Sequence, residues 1–216
     1  MKRKLAILGI AGISLMGSLS VQAQKTEKLF NGKDLSNWEF LVDKNSVPAE
    51  QVYSVKDGMI QIAGQPFGYM YTKQKYSNYK LHVEWRWPDG KEANSGIFLL
   101  IEDLKNPFPN GVECQLHVGD AGDFVLLGGS DLAEFQNKPG QPRPAFPVVQ
   151  KHTKSSENKA GEWNEANIFV KDGVITVYIN GVYQNTGTNK VKEGHIGLQS
   201  EGGPIQFRNV TLTPWE

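Results

Sequence analysis

From residue 79 to residue 87 the chain alternates strictly, with Tyr79, Leu81, Val83, Trp85 and Trp87 on one side and Lys80, His82, Glu84 and Arg86 on the other. A period of two is the mark of a β-strand with one buried face, so the aromatic and aliphatic side is predicted to be core. Short apolar or alternating runs predict further strands over residues 52–55, 59–63, 96–101, 112–118, 167–170, 174–179, 196–200 and 205–213. The pairs Asp57-Gly58, Asp172-Gly173 and Asn180-Gly181 sit between such runs and tolerate the positive φ angles of two-residue hairpin turns. The similar phrases VKDGMI and VKDGVI are read as two hairpins meeting the same turn requirement rather than as a repeat.

No long helical periodicity interrupts this pattern after residue 24, and many short strands with frequent turns predict an all-β fold, an antiparallel β-sandwich of the jelly-roll kind. Residues 119–159 stand apart: Pro139, Pro142, Pro144 and Pro147 bunch there, and residues 131–136 have room for one or two helical turns. A connection that long in a compact domain is usually functional or mobile, the alternative being a plain surface excursion.

The N-terminus reads differently. Lys2, Arg3 and Lys4 precede an apolar run over residues 5–19 and a small residue at Ala23, the layout of a cleavable export signal. Residues 1–23 are expected to be removed, leaving 24–216 as a single soluble domain, exported to the periplasm or beyond the cell and without a membrane anchor. The leader holds three of the 23 basic residues and none of the 23 acidic ones, so the mature chain has a net charge of −3. That balance gives no footprint for nucleic acid. A lone cysteine, Cys114, excludes an internal disulfide and leaves stability to the core.

Chemistry concentrates on one predicted strand. In VECQLHV, residues 112–118, the apolar positions Val112, Cys114, Leu116 and Val118 face inward, and Glu113, Gln115 and His117 line the other face about 6 to 7 Å apart. A carboxylate, an amide and an imidazole in a row suit the recognition of hydroxyl groups. Glu84 and Arg86 flank that ladder if their strand shares its sheet, Asn94 and Ser95 fall at the start of the next strand, and Gln199 and His195 share one face of a late strand. The four histidines lack zinc spacing, and no phosphate loop or nucleophile elbow is present. No cofactor is evident; a divalent cation held by loop oxygens near Asp120 and Asp123 stays open.

Taken in order, LFNGKDLSNW, NSGIFL, ECQLHV, GEWNEANIFVKDGVITVYINGV and HIGLQSEGGPIQFRN resemble the 3-keto-disaccharide hydrolase family, whose fold is similar to concanavalin A-like jelly rolls and laminarinase-type glycosidases. The resemblance spans residues 29–213. It implies a carbohydrate substrate with a ketone at C3, made beforehand by a partner sugar 3-oxidoreductase. A base then removes the acidified C2 hydrogen, the enolate expels the C1 substituent, and water can add back. On this reading Glu113 or His117 is the base, Arg86 with Gln115 or Asn94 stabilises the enolate, and Trp163 or a tyrosine stacks on the sugar. Ser95, Glu84, Gln199 and His152 are further candidates for substrate contact, with Lys151 beside the last.

Two other readings compete. Ordinary glycoside hydrolysis needs a second carboxylate about 5 to 9.5 Å from the first, and the key strand supplies only Glu113, so the partner has to come from elsewhere, such as Glu84 or Glu201. A non-catalytic carbohydrate-binding module needs exposed aromatic platforms, whereas most aromatics here fall on core-facing positions.

Overall fold

The computed structural model describes residues 25–91 and 93–215; the expected export signal lies outside them. Its strands are β1 (Glu27–Lys28), β2 (Trp38–Val42), β3 (Tyr53–Lys56), β4 (Met59–Ile62), β5 (Gly68–Thr72), β6 (Tyr79–Arg86), β7 (Gly96–Ile101), β8 (Gly111–Gln115), β9 (Phe124–Leu127), β10 (Val148–Val149), β11 (Asn164–Lys171), β12 (Val174–Ile179), β13 (Val182–Thr188), β14 (His195–Ser200) and β15 (Ile205–Pro214). They form two antiparallel sheets. Sheet I is 8-stranded, in the order β13-β12-β11-β6-β15-β4-β3 with β1 added to β15; sheet II is 7-stranded, in the order β10-β9-β8-β7-β14-β5-β2. The described helical structure is two 3-10 turns at Asp43–Asn45 and Ala49–Gln51.

The alternation of β6 does what its pattern predicts. Leu81, Val83 and Trp85 meet Ile168, Val177 and Phe207 of sheet I and Ile97, Leu99, Val112, Cys114 and Leu198 of sheet II in one fully buried core. Burial pushes the Cys114 thiol far above its ordinary value, which keeps it inert. The three anticipated turns have positive φ at both central residues: Asp57 and Gly58, Asp172 and Gly173, Asn180 and Gly181. The opening LFNGKDLSNW is a staple: the Asn31 side chain accepts from the backbone N–H of Lys33 and Asp34, and the Trp38 indole donates to the Leu29 carbonyl at 2.9 Å.

Where the structure departs from expectation, the reasons are physical. Strand β8 ends at Gln115 rather than at residue 118, because the Gln115 carbonyl accepts from Gly122 and its side-chain oxygen accepts from the N–H of Leu116 and His117, closing a turn. The 131–136 stretch is not helical; Ala133 donates to the Thr188 carbonyl and Phe135 to that of Leu132. The long 119–159 segment contains β9 and β10. Strands β2, β5 and β13 carried no alternation to read: β5 is buried almost throughout, and β13 is a polar run at an edge.

A second, smaller apolar cluster lies on the outer face of sheet II. Tyr69, Phe98, Ile101, Val125 and Leu127 are covered there by Leu104 and Phe108 of the β7–β8 connection. This roof makes an outer sheet face into a sheltered one. Trp85→Ala, which empties a fully buried site in the main core, is expected to cost about 3–5 kcal/mol, measured as a lower midpoint of urea unfolding.

Candidate active site

On the outer face of sheet II the register sets polar side chains side by side. Glu113 pairs with Phe98, Gly96 with Gln115, Gln199 with Tyr69, and Asn94 bridges to Glu201. Glu113 is only 3 % exposed although it sits on an outward-facing position. What makes room for it is Gly96: a Cβ there would lie 2.1 Å from Glu113 Oε1. The carboxyl group therefore rests on bare backbone, and Oε1 has no hydrogen-bond partner among the described residues.

Glu201 is the neighbour that matters. Burial raises the Glu113 carboxyl well above its ordinary value, and the charge of Glu201 raises it further. Glu201 is raised as well, by burial, but Gln199 and Asn94 donate to it and His117 lies close enough to oppose the rise; the Gln199 bond is 2.7 Å. The side-chain oxygens of Asn94 and Gln199 are left buried without donors. Two carboxyl groups of unequal burial are thus set in a floor of neutral amides. Such an arrangement separates their proton affinities and gives one the character of an acid and the other that of a base.

The remaining candidates divide sharply. Asn94 and Gln199 join the site. Ser95 is fully buried and donates to the Gln199 carbonyl at 2.9 Å, so it positions the floor instead of meeting a ligand. His117 has left the strand for the following turn, where Nδ1 lies 2.9 Å from Asp120 Oδ2. Lys151 joins this rim, bonding the Gly119 carbonyl at 2.6 Å and Asp123. Among the described residues no group of three or more His, Cys, Asp or Glu side chains is placed to hold a metal ion.

Arg86, Glu84 and Trp163 belong elsewhere. They project from the outer face of sheet I, on the far side of the sandwich from Glu113. Arg86 Nε donates to Gln206 at 2.7 Å, and the guanidinium groups of Arg86 and Arg208 lie 4.7 and 3.9 Å from the centre of the Trp163 ring. Burial works upward on Glu84, but Asn209 and Arg208, each 2.6 Å away, outweigh it and hold the carboxyl below its ordinary value. A carboxylate so fully paired is structural. His152 is displaced too: its ring stacks on Tyr183, and its backbone N–H donates to the Gln184 carbonyl of edge strand β13. Glu201 is the residue that the pattern of single strands ranked too low, because it lies past the end of β14 and only the pairing with Asn94 brings it to Glu113.

Comparison with known proteins matches residues 25–213 to a family model described as a 3-keto-alpha-glucoside-1,2-lyase-like domain. The chain belongs to this family. A 3-keto-disaccharide hydrolase of Bacteroides thetaiotaomicron is 23 % identical, over 90 % of this chain and 80 % of that one. A solved structure from Parabacteroides distasonis, provisionally described as a glycosyl hydrolase, superposes with a TM-score of 0.63 at 21 % identity, covering 88 % of this chain and 94 % of the other. The Bacillus licheniformis β-glucanase superposes with a TM-score of 0.56 at 10 % identity over 91 % of this chain and 100 % of that one, which fixes the jelly-roll architecture alone.

Within this 3-keto-alpha-glucoside-1,2-lyase-like domain, the motifs NSGIFL, ECQLHV and HIGLQSEGG converge on the Glu113–Glu201 site, whereas LFNGKDLSNW and GEWNEA build turns. In the latter, Asn164 Oδ1 accepts from Asn158 N–H at 2.7 Å and from Asn180 at 2.8 Å. Replacing Gly96 by Ala must push the Glu113 carboxyl aside. Misplacing a reacting group by about 1 Å costs on the order of 100-fold in rate, so Gly96→Ala is expected to lower kcat/KM by at least that factor while circular dichroism still reports the native sheet content.

Proposed function

We propose that this protein is an exported enzyme that cleaves the glycosidic bond of 3-keto-glycosides by C2 deprotonation and elimination, with water adding afterwards. The observation that carries the reading is the unequal pair of carboxyl groups. Glu113, favoured in its neutral form by burial, has the proton that the leaving C1 oxygen needs. Glu201, less buried and supported by Gln199 and Asn94, has the character of the base for the C2 hydrogen. This reverses the simplest sequence-level assignment, in which Glu113 is the base.

The ketone oxygen needs donors where charge develops. With Arg86 on the far sheet, the candidates are the Gln115 amide nitrogen, whose oxygen is already committed to two backbone N–H groups, and the His117 ring at the rim. The family description and the name of the Bacteroides relative favour an oxidised sugar, and such a substrate requires an oxidoreductase acting on C3 upstream. The second reading, hydrolysis of an unoxidised glycoside by the same two carboxyl groups, draws on the nearness of Glu201 to Glu113.

Incubation with a 3-keto-glucoside and with its unoxidised parent, followed by NMR in heavy water, separates the two. Deuterium entering C2, with loss of the C1 substituent from the keto sugar only, is expected. Glu201→Gln should abolish both exchange and cleavage. Glu113→Gln should leave exchange and slow cleavage by about 10²- to 10⁴-fold, the usual worth of a general acid. Release of sugar from the parent alone overturns the keto-sugar reading in favour of direct hydrolysis.

A further inference from the structure

Three phenylalanines form a row on the same side of the molecule as the candidate site. Phe67 and Phe108 have ring centres 5.9 Å apart, and Phe108 and Phe146 5.1 Å. Phe67 directly precedes Gly68, the partner of Ser200, so the row begins beside Glu201. Phe108 is fixed, since it packs on the Tyr69 and Phe98 cluster. Phe67 and Phe146 are nevertheless 37 % and 48 % exposed, and phenylalanine in contact with water is unfavourable unless something covers it.

At its far end the row enters a cleft of about 660 Å³ under the proline-rich segment, where Phe135 and Phe146 are joined by the amides of Gln136, Asn137, Gln141 and Gln150. Apolar ring faces framed by amides, with Glu134 and Lys138 also in the lining, match a pyranose, which offers C–H faces and a rim of hydroxyl groups. The wall of the cleft is tied to the rest of the domain. Arg143 lies 4.6 Å over the Phe135 ring and bonds the Ser130 carbonyl and Asp131, and Glu134 accepts from both the backbone N–H and the hydroxyl of Thr188.

We propose that this cleft and the Phe67–Phe108–Phe146 row form a subsite for the second sugar ring, the leaving group of a disaccharide whose oxidised ring lies at Glu113 and Glu201. The inference rests on the glycoside-cleaving reading of that site. It assigns to the proline-rich segment a specificity role: the segment grips the leaving ring and so favours disaccharides over simple alkyl glycosides.

The test compares a 3-keto-disaccharide with methyl 3-keto-glucoside as substrates for the mature protein and for the Phe146→Ala and Phe67→Ala variants, both at partly exposed positions. Each variant is expected to lose about 10- to 100-fold in kcat/KM on the disaccharide, the range for removing one apolar pocket contact, with the methyl glycoside changed less than about twofold on the same grounds. Equal losses on both substrates, or none on either, overturn the subsite. If the wild-type protein turns over neither substrate, the glycoside-cleaving reading fails, and saturation-transfer NMR with the unoxidised disaccharide decides the subsite: signal from the second ring that Phe146→Ala removes supports it, and its absence overturns it.

Discussion

A carboxyl group lying on a glycine is the contact around which the site is arranged. Glu113 can occupy an outward position of sheet II and still be buried only because Gly96 beside it has no side chain. Burial without a hydrogen-bond partner for Oε1 makes ionisation costly, and the charge of nearby Glu201 makes it costlier. Leu104 and Phe108 pack over Tyr69 and Phe98 on the same sheet face. Each of these features is dispensable for a β-sandwich. Together they favour the protonated form of Glu113.

The two outer faces of the sandwich give a glutamate opposite surroundings. On sheet I, Glu84 is met by Arg208 and Asn209 and becomes part of a closed network with Trp163 and Arg86. On sheet II, Glu113 Oε1 and the amide oxygens of Asn94 and Gln199 are left without donors. Unpaired buried polar atoms cost stability, and such a cost is the common signature of a site whose partner is a ligand.

Much of the fold was legible because its strongest signals are local. The alternation of residues 79–87 and the Asp-Gly and Asn-Gly turns depend on near neighbours, and the structure keeps them. The site was half legible. The strand holding Glu113, Gln115 and Cys114 could be recognised, but which strands share a sheet is a long-range property that periodicity does not encode, so Arg86, Glu84 and Trp163 were grouped with Glu113 although a whole sandwich separates them. Glu201, named beside Glu84 as a possible second carboxylate, could not be chosen over it for the converse reason, being distant in sequence from Asn94 and adjacent in space. The reach of the ladder to His117 failed at a single turn, closed by the side chain of Gln115 itself.

Carbon-13 NMR titration of the glutamate side-chain carboxyls, assigned with Glu113→Gln and Glu201→Gln, addresses the proton on which the chemistry depends. Glu113 is expected to stay protonated well above the ordinary glutamate value of about 4.3 and to titrate closer to that value once Glu201 is neutralised. A Glu113 resonance with an ordinary midpoint, ionised throughout the neutral range and indifferent to Glu201, would contradict its role as the acid of this site.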